Sequence, residues 1–187
     1  MTMSPDTDTR ASAAPVVPTP DDKDWTWVLD ELCQECGFEA AFMDLADLPE
    51  YTRVVVAAFV TAVLRPDAAE RPAPDVWSPL EYACHVRDVC RLFNERLHLM
   101  LTEDDPVWPN WDQDATAVGS QYWTQNPVKV AKELALAAVE IVASFAGVRE
   151  DQWRRPGRRS DGAEFTVDTL ARYFMHDLVH HVHDVGG

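Results

Sequence analysis

The sequence is poor in basic residues, in cysteine and in long apolar runs. Sixteen Lys and Arg stand against 32 Asp and Glu, giving a formal net charge of -16 and a pI near 4.5. So acidic a chain repels a phosphate backbone or an anionic membrane surface at long range, which sets aside nucleic acid and membrane as partners. No apolar run approaches the ~18 residues of a spanning helix, and no basic N-terminal region leads into an apolar segment. The expectation is a soluble, cytoplasmic protein. In that setting the four cysteines, Cys33, Cys36, Cys84 and Cys90, read as reduced thiols rather than a disulfide framework. Strand-like alternation is weak throughout.

What is present is helical. At 187 residues and 47% hydrophobic, the chain suits one well-buried domain with a tail. Residues 1–24 are rich in Pro, Thr, Ser, Ala and Asp, too apolar-poor to offset the cost of ordering, and read as a disordered tail. Residues 25–46, opening on Trp25-Thr-Trp-Val-Leu, read as an extended segment packed on the domain, and residues 47–187 as the domain itself. Asp47 with Pro49 and Glu50 suggests a capping box for a first helix that Arg65-Pro66 stops. Ser78 as N-cap, Pro79 at N1, Glu81 at N3 and a Trp77–Tyr82 staple open a second helix from Pro79 to about Thr102. Asn126-Pro127 opens a third, ended by Gly147, and Thr166 caps a fourth. Four long helices with little strand signal predict an all-α, four-helix bundle.

Four of the six histidines crowd into Met175-His-Asp-Leu-Val-His-His-Val-His-Asp184. At about 100° per residue, His176, His180 and His183 share one stripe, opposite Phe174, Leu178, Val182 and Val185, while His181 projects near the aliphatic side. An i, i+4 pair sets two imidazoles one turn apart, able to hold one metal ion, and His85 on the second helix is the available third ligand. Such a set leaves coordination positions open for substrate. The bland alternative is a His-rich last turn that complements the helix dipole. His98 falls on the polar side of its helix.

Other features carry two readings each. Cys33-Gln-Glu-Cys36-Gly37 is half of a zinc knuckle whose other half is missing, and with no βαβ pattern around it a redox role is weaker still, so no separate zinc is expected at this pair. Cys84 and Cys90 read as core residues. The connection at 103–126 places Trp111 and Asp112 either over a pocket or as pins holding the loop to the bundle. Arg158 and Arg159, in a cluster with Arg154 and Arg155, either bind a carboxylate or balance nearby acids.

Taken together, Trp77-Ser-Pro-Leu-Glu-Tyr-Ala-Cys-His85 and His176-Asp-Leu-Val-His180 resemble the DinB-like superfamily of four-helix metal proteins. That superfamily includes bacterial thiol S-transferases and mycothiol-dependent maleylpyruvate isomerases. The resemblance spans about residues 45–185. It implies a divalent metal held by His85, His176 and His180, with water or a thiolate completing the shell. Zinc comes first, with nickel or iron as alternatives because imidazole suits all three. It further implies a metal-dependent enzyme that transfers or isomerises a small-molecule substrate through mycothiol or a similar thiol. Arg158 or Arg159 would then hold a carboxylate, and Trp111 and Asp112 would close over it. The competing expectation is a non-catalytic metal-dependent binder or a structural homodimer.

Overall fold

Helix punctuation in the sequence translates directly into the architecture of the computed structural model, which describes residues 15, 16, 18 and 23–186. Among these residues the helices are α1 (Leu48–Val63), α2 (Pro79–Thr102), a short α3 (Gln113–Gly119), α4 (Pro127–Ala146) and α5 (Val167–Asp184). The four long ones form the bundle, with α1 and α2 each packing on both α4 and α5. The expected tail at 1–24 lies largely outside the described residues.

The start of α2 is held by a complete capping box. Ser78 Oγ accepts from the Glu81 amide, and Glu81 Oε2 accepts from the Ser78 amide, so two otherwise orphaned donors are satisfied. Trp77 and Tyr82 meet at 5.5 Å between ring centroids. Glu81 is buried, and Arg71 forks onto it from Nε and Nη2 at 2.8 and 2.5 Å. Burial pushes the Glu81 carboxyl up, but Arg71 and Ser78 outweigh it and hold it below the usual carboxylate range. Beyond this cap, Val86, Val89, Phe93, Leu97 and Met100 form the buried stripe. Cys84 and Cys90 are fully buried among them.

The first helix begins differently from expectation. Asp47 is its N-cap, yet the Asp47 side chain makes no capping bond and its backbone is already right-handed helical (φ -89°, ψ -5°). A 3-10 turn at Leu45–Asp47 runs straight into α1, and Asp44 caps that turn by accepting from the Ala46 amide. With its backbone inside a helical turn, Asp47 is not in the extended geometry an N-cap side chain needs. Glu50 pairs instead with Arg53.

The segment before α1 is coiled into three 3-10 turns, Trp25–Leu29, Ala40–Phe42 and Leu45–Asp47, rather than extended. It does lie against the bundle. Val28, Cys33 and Ala40 are buried, and Arg172 of α5 donates to the carbonyls of Ala40 and Met43. Two connections also carry strands that periodicity could not reveal at this length. β1 (Val107–Trp108) runs parallel to β2 (Pro156–Arg159), which pairs antiparallel with β3 (Glu164–Thr166). This small sheet ties the 103–126 connection to the entry of α5, where Thr166 and Thr169 form a capping box.

Gly157 of β2 is where sheet and bundle touch most closely. A Cβ there would sit 2.5 Å from Cζ3 of Trp108 and 2.8 Å from Cγ of Met100, both in the buried core. Gly157→Ala is expected to destabilise the fold by about 1–3 kcal/mol through overpacking. Urea unfolding checks this: the midpoint should fall, and an unchanged midpoint would show that the sheet can move off the core freely.

Candidate metal centre and its cavity

The flank of α5 that meets α2 carries one cluster of donor atoms. His85 of α2, Asp177 and His181 each offer an atom, and these lie within 4.8 Å of one another. His85 Nε2 stands 3.4 Å, and His181 Nε2 3.7 Å, from the same oxygen, Oδ1 of Asp177. Around four-coordinate zinc with bonds of about 2.0–2.2 Å, ligand atoms stand roughly 3.4 Å apart. His85 Nε2 and Asp177 Oδ1 are buried yet make no hydrogen bond of acceptable geometry. Unpaired buried polar atoms are costly, and a cation between these two would satisfy both. The residues present therefore fit a divalent metal.

Electrostatics favour the same use. Burial holds the His85 imidazolium well below its ordinary pKa despite the pull of Asp177, so the ring is neutral and its lone pair free. Burial raises the Asp177 carboxyl, but His85, His181 and His176 overcome that and keep it below the ordinary carboxylate value. His181 Nδ1 meets Asp184 Oδ2 at 2.8 Å. A carboxylate on the far ring nitrogen fixes the orientation and tautomer of a ligating imidazole.

His176 and His180 group instead with Cys33 and Cys36 of the N-terminal segment, though both also line the cavity beside this centre. The expected set of His85, His176 and His180 is thus divided between two clusters. The reason is rotational. α5 packs on the core through Phe174 and Leu178, both fully buried, so only residues flanking that stripe can reach α2. Asp177 and His181 lie one residue, about 100°, nearer the aliphatic face than His176 and His180. Asp184, at i+4 from His180, pairs with His181 instead.

A cavity of about 660 Å³ opens beside this centre, lined in part by Asp177, His181 and Asp184, a size ordinary for small-molecule sites. Trp111 and Asp112 line it. Trp111 stacks flat on His85 at 5.3 Å and donates to Thr116, while Asp112 caps α3 by accepting from the Ala115 amide. Arg159 lines it too, held by Asp161 at 2.7 Å. Arg158 does not: it faces solvent and pairs with Asp105 and Glu164. His98 is exposed and bonds the Asn94 carbonyl.

Sequence reasoning passed over Arg96, which also lines the cavity. It is buried against the faces of Phe93 and Trp108, and its Nε has no hydrogen-bond partner. Burial, with Arg159 nearby, lowers its pKa to about 10, still fully cationic at neutral pH. Among the described residues no carboxylate lies within ion-pair distance of it. One signal was available: a cation only one position away from the buried Leu97, and three from Phe93, lies on the flank of a core stripe.

The sequence profile of the DinB superfamily matches residues 48–185. This chain belongs to the DinB superfamily. Among solved structures, its DinB fold is similar to YfiT from Bacillus subtilis, described as "a probable metal-dependent hydrolase with an unusual four-helix bundle topology". The TM-score is 0.68 at 20% identity, covering 76% of this chain and 83% of that one. It is also similar to a mycothiol-dependent maleylpyruvate isomerase, with a TM-score of 0.63 at 14% identity, covering 79% of this chain and 63% of that one. At these identities the likeness is one of fold. No curated protein matches the sequence.

Asp184 offers a test of the centre that leaves every donor atom in place. Asp184→Asn should weaken divalent-metal affinity at the His85 cluster by roughly 10–100-fold, as loss of a carboxylate behind a ligand histidine typically does. Competition titration against a chromophoric chelator measures it, and wild-type affinity in the variant would remove His181 from the ligand set.

Proposed function

We propose that this DinB protein is a metal-dependent enzyme acting on a small carboxylate-bearing substrate through a low-molecular-weight thiol. The metal would be held by His85, Asp177 and His181. The observation that carries the reading is a set of three convergent donors, two of which, Asp177 and His181, line a cavity that also holds a buried arginine with no carboxylate in ion-pair contact. Three protein ligands leave room in the coordination shell, the signature of catalytic rather than structural sites. When bound, a divalent metal would stabilise a thiolate at neutral pH and act as a Lewis acid. Zinc suits the nitrogen and carboxylate donors, and nickel or iron would also be accepted. Mycothiol is the first thiol to test, because one structural relative is described as mycothiol-dependent.

The protein's own groups have separable tasks. Arg96, pinned between Phe93 and Trp108, presents a cation to the cavity with little conformational freedom left to lose. Such a cation binds a carboxylate more strongly than an exposed one, because water competes less. Arg159 adds a second positive charge on the same wall. Trp111 covers His85 and restricts water on that side. Asp184 orients His181.

His85→Ala, Asp177→Ala and His181→Ala should each strip the metal from this centre and abolish turnover, whereas His98→Ala should change neither. Metal analysis with thiol-dependent assays across a panel of carboxylate-bearing electrophiles tests this. Absence of thiol- or metal-dependent turnover in the fully loaded protein would refute the enzymatic reading. For Arg96→Gln, losing a charge-assisted contact predicts a KM raised roughly 10–100-fold with kcat little changed. An unchanged KM would remove Arg96 from substrate binding.

A further inference from the structure

The second cluster has the make-up of a closed metal site, and nothing in the reading above uses it. Cys33 and Cys36 flank a tight turn in which the Gly37 amide donates to the Cys33 carbonyl at 2.8 Å and the Cys33 amide to Phe38 at 2.9 Å. Gly37 holds φ at +75°, a conformation that side chains rarely adopt. This Cys-x-x-Cys-Gly turn aims both sulfurs at α5, where His176 and His180 stand one turn apart. One atom from each of the four residues lies within 4.8 Å of the others. Cys33, His176 and His180 are buried.

We propose that Cys33, Cys36, His176 and His180 bind a second divalent metal, zinc by preference, as a structural clasp between the N-terminal segment and α5. Cys33 Sγ stands 3.7 Å from His180 Nδ1. With Zn–S near 2.3 Å and Zn–N near 2.0–2.1 Å in a tetrahedron, the two ligand atoms would stand about 3.6 Å apart. His180 Nε2 faces Glu35 Oε2 at 3.5 Å, which places a carboxylate behind a ligand imidazole and assigns Nδ1 to the metal. His176 Nε2 is buried with no hydrogen-bond partner, the state of a donor atom reserved for an ion. Trp25 packs on both imidazoles, at 5.6 and 5.0 Å, and Phe38 meets His176 at 5.7 Å, while both histidines also line the cavity beside the His85 centre.

Four protein ligands leave no open position, which separates this site from the three-ligand one beside it. On binding, the two thiols give up their protons to solvent and the ion takes two thiolates and two neutral imidazoles, leaving the site neutral. The two sites interleave on α5: residues 176 and 180 face the knuckle, and 177 and 181 face His85. Trp25 also lines the cavity, so the clasp fixes one wall of the substrate site as well.

Cobalt loading of the full chain, purified under reducing conditions, tests the proposal without any substitution. The wild type should take up two equivalents of Co²⁺ and show intense thiolate-to-cobalt charge-transfer absorption in the near ultraviolet. Cys33→Ser with Cys36→Ser should abolish that absorption and one equivalent of metal while keeping the other. His85→Ala should lose one equivalent and retain the absorption. Cobalt-loaded wild type without charge-transfer absorption, or with a Cys33–Cys36 disulfide formed in place of metal binding, would overturn the clasp. A single equivalent bound with the absorption would uphold it and count instead against the His85 centre.

Discussion

The last two turns of α5 concentrate more donor atoms than a helix interior can tolerate without partners. His176, Asp177, His180 and His181 are adjacent in pairs, and two of their atoms, His176 Nε2 and Asp177 Oδ1, are buried without hydrogen bonds. Unmet buried donors and acceptors cost about 1–3 kcal/mol each, a burden that a domain of marginal stability does not carry idly. A cation bound at each cluster would remove it. The N-terminal segment, the His85 turn of α2 and the Trp111 loop are all arranged around this stretch, each closing one side.

Rotation of α5 about its axis decides which donors face which partner, and apolar packing sets that rotation. Phe174 and Leu178 seat the helix in the core against Phe93 and Phe145. Thr166 and Thr169 fix where the helix begins, and the β2–β3 hairpin delivers the chain to that point. The cavity then acquires its charge from the other side. Arg96 and Arg159 bring cations to a wall that faces the acids Asp177 and Asp184, in a protein of net charge -16. An anionic small molecule would be drawn to that patch locally despite repulsion from the molecule as a whole.

The four long helices were legible in the sequence because their ends are written in local chemistry: Ser78-Pro79-x-Glu81, Asn126-Pro127 and Thr166 all cap as expected. Asp47 misled because its cap depends on the backbone conformation before it, which composition does not encode. The histidine helix was legible as a concentration of donor side chains, but which partner each of them would face was not. Two i, i+4 pairs overlap there, offset by a single residue, and a carboxylate at 177 reads on its own as a surface acid. The partner of Cys33 and Cys36 was invisible for a different reason: His180 is 147 positions away along the chain from Cys33. Arg96 looked like an ordinary polar helix position, since its burial depends on Trp108 arriving from another element.

The central claim is that α5 feeds two metal centres through interleaved ligand pairs, and locating the ions tests it most directly. Anomalous diffraction at the zinc edge from crystals of the metal-loaded protein should give two peaks. One would lie among His85, Asp177 and His181, and the other among Cys33, Cys36, His176 and His180. A single peak coordinated by His85 together with His176 and His180, with the cysteines outside its reach, would contradict the account.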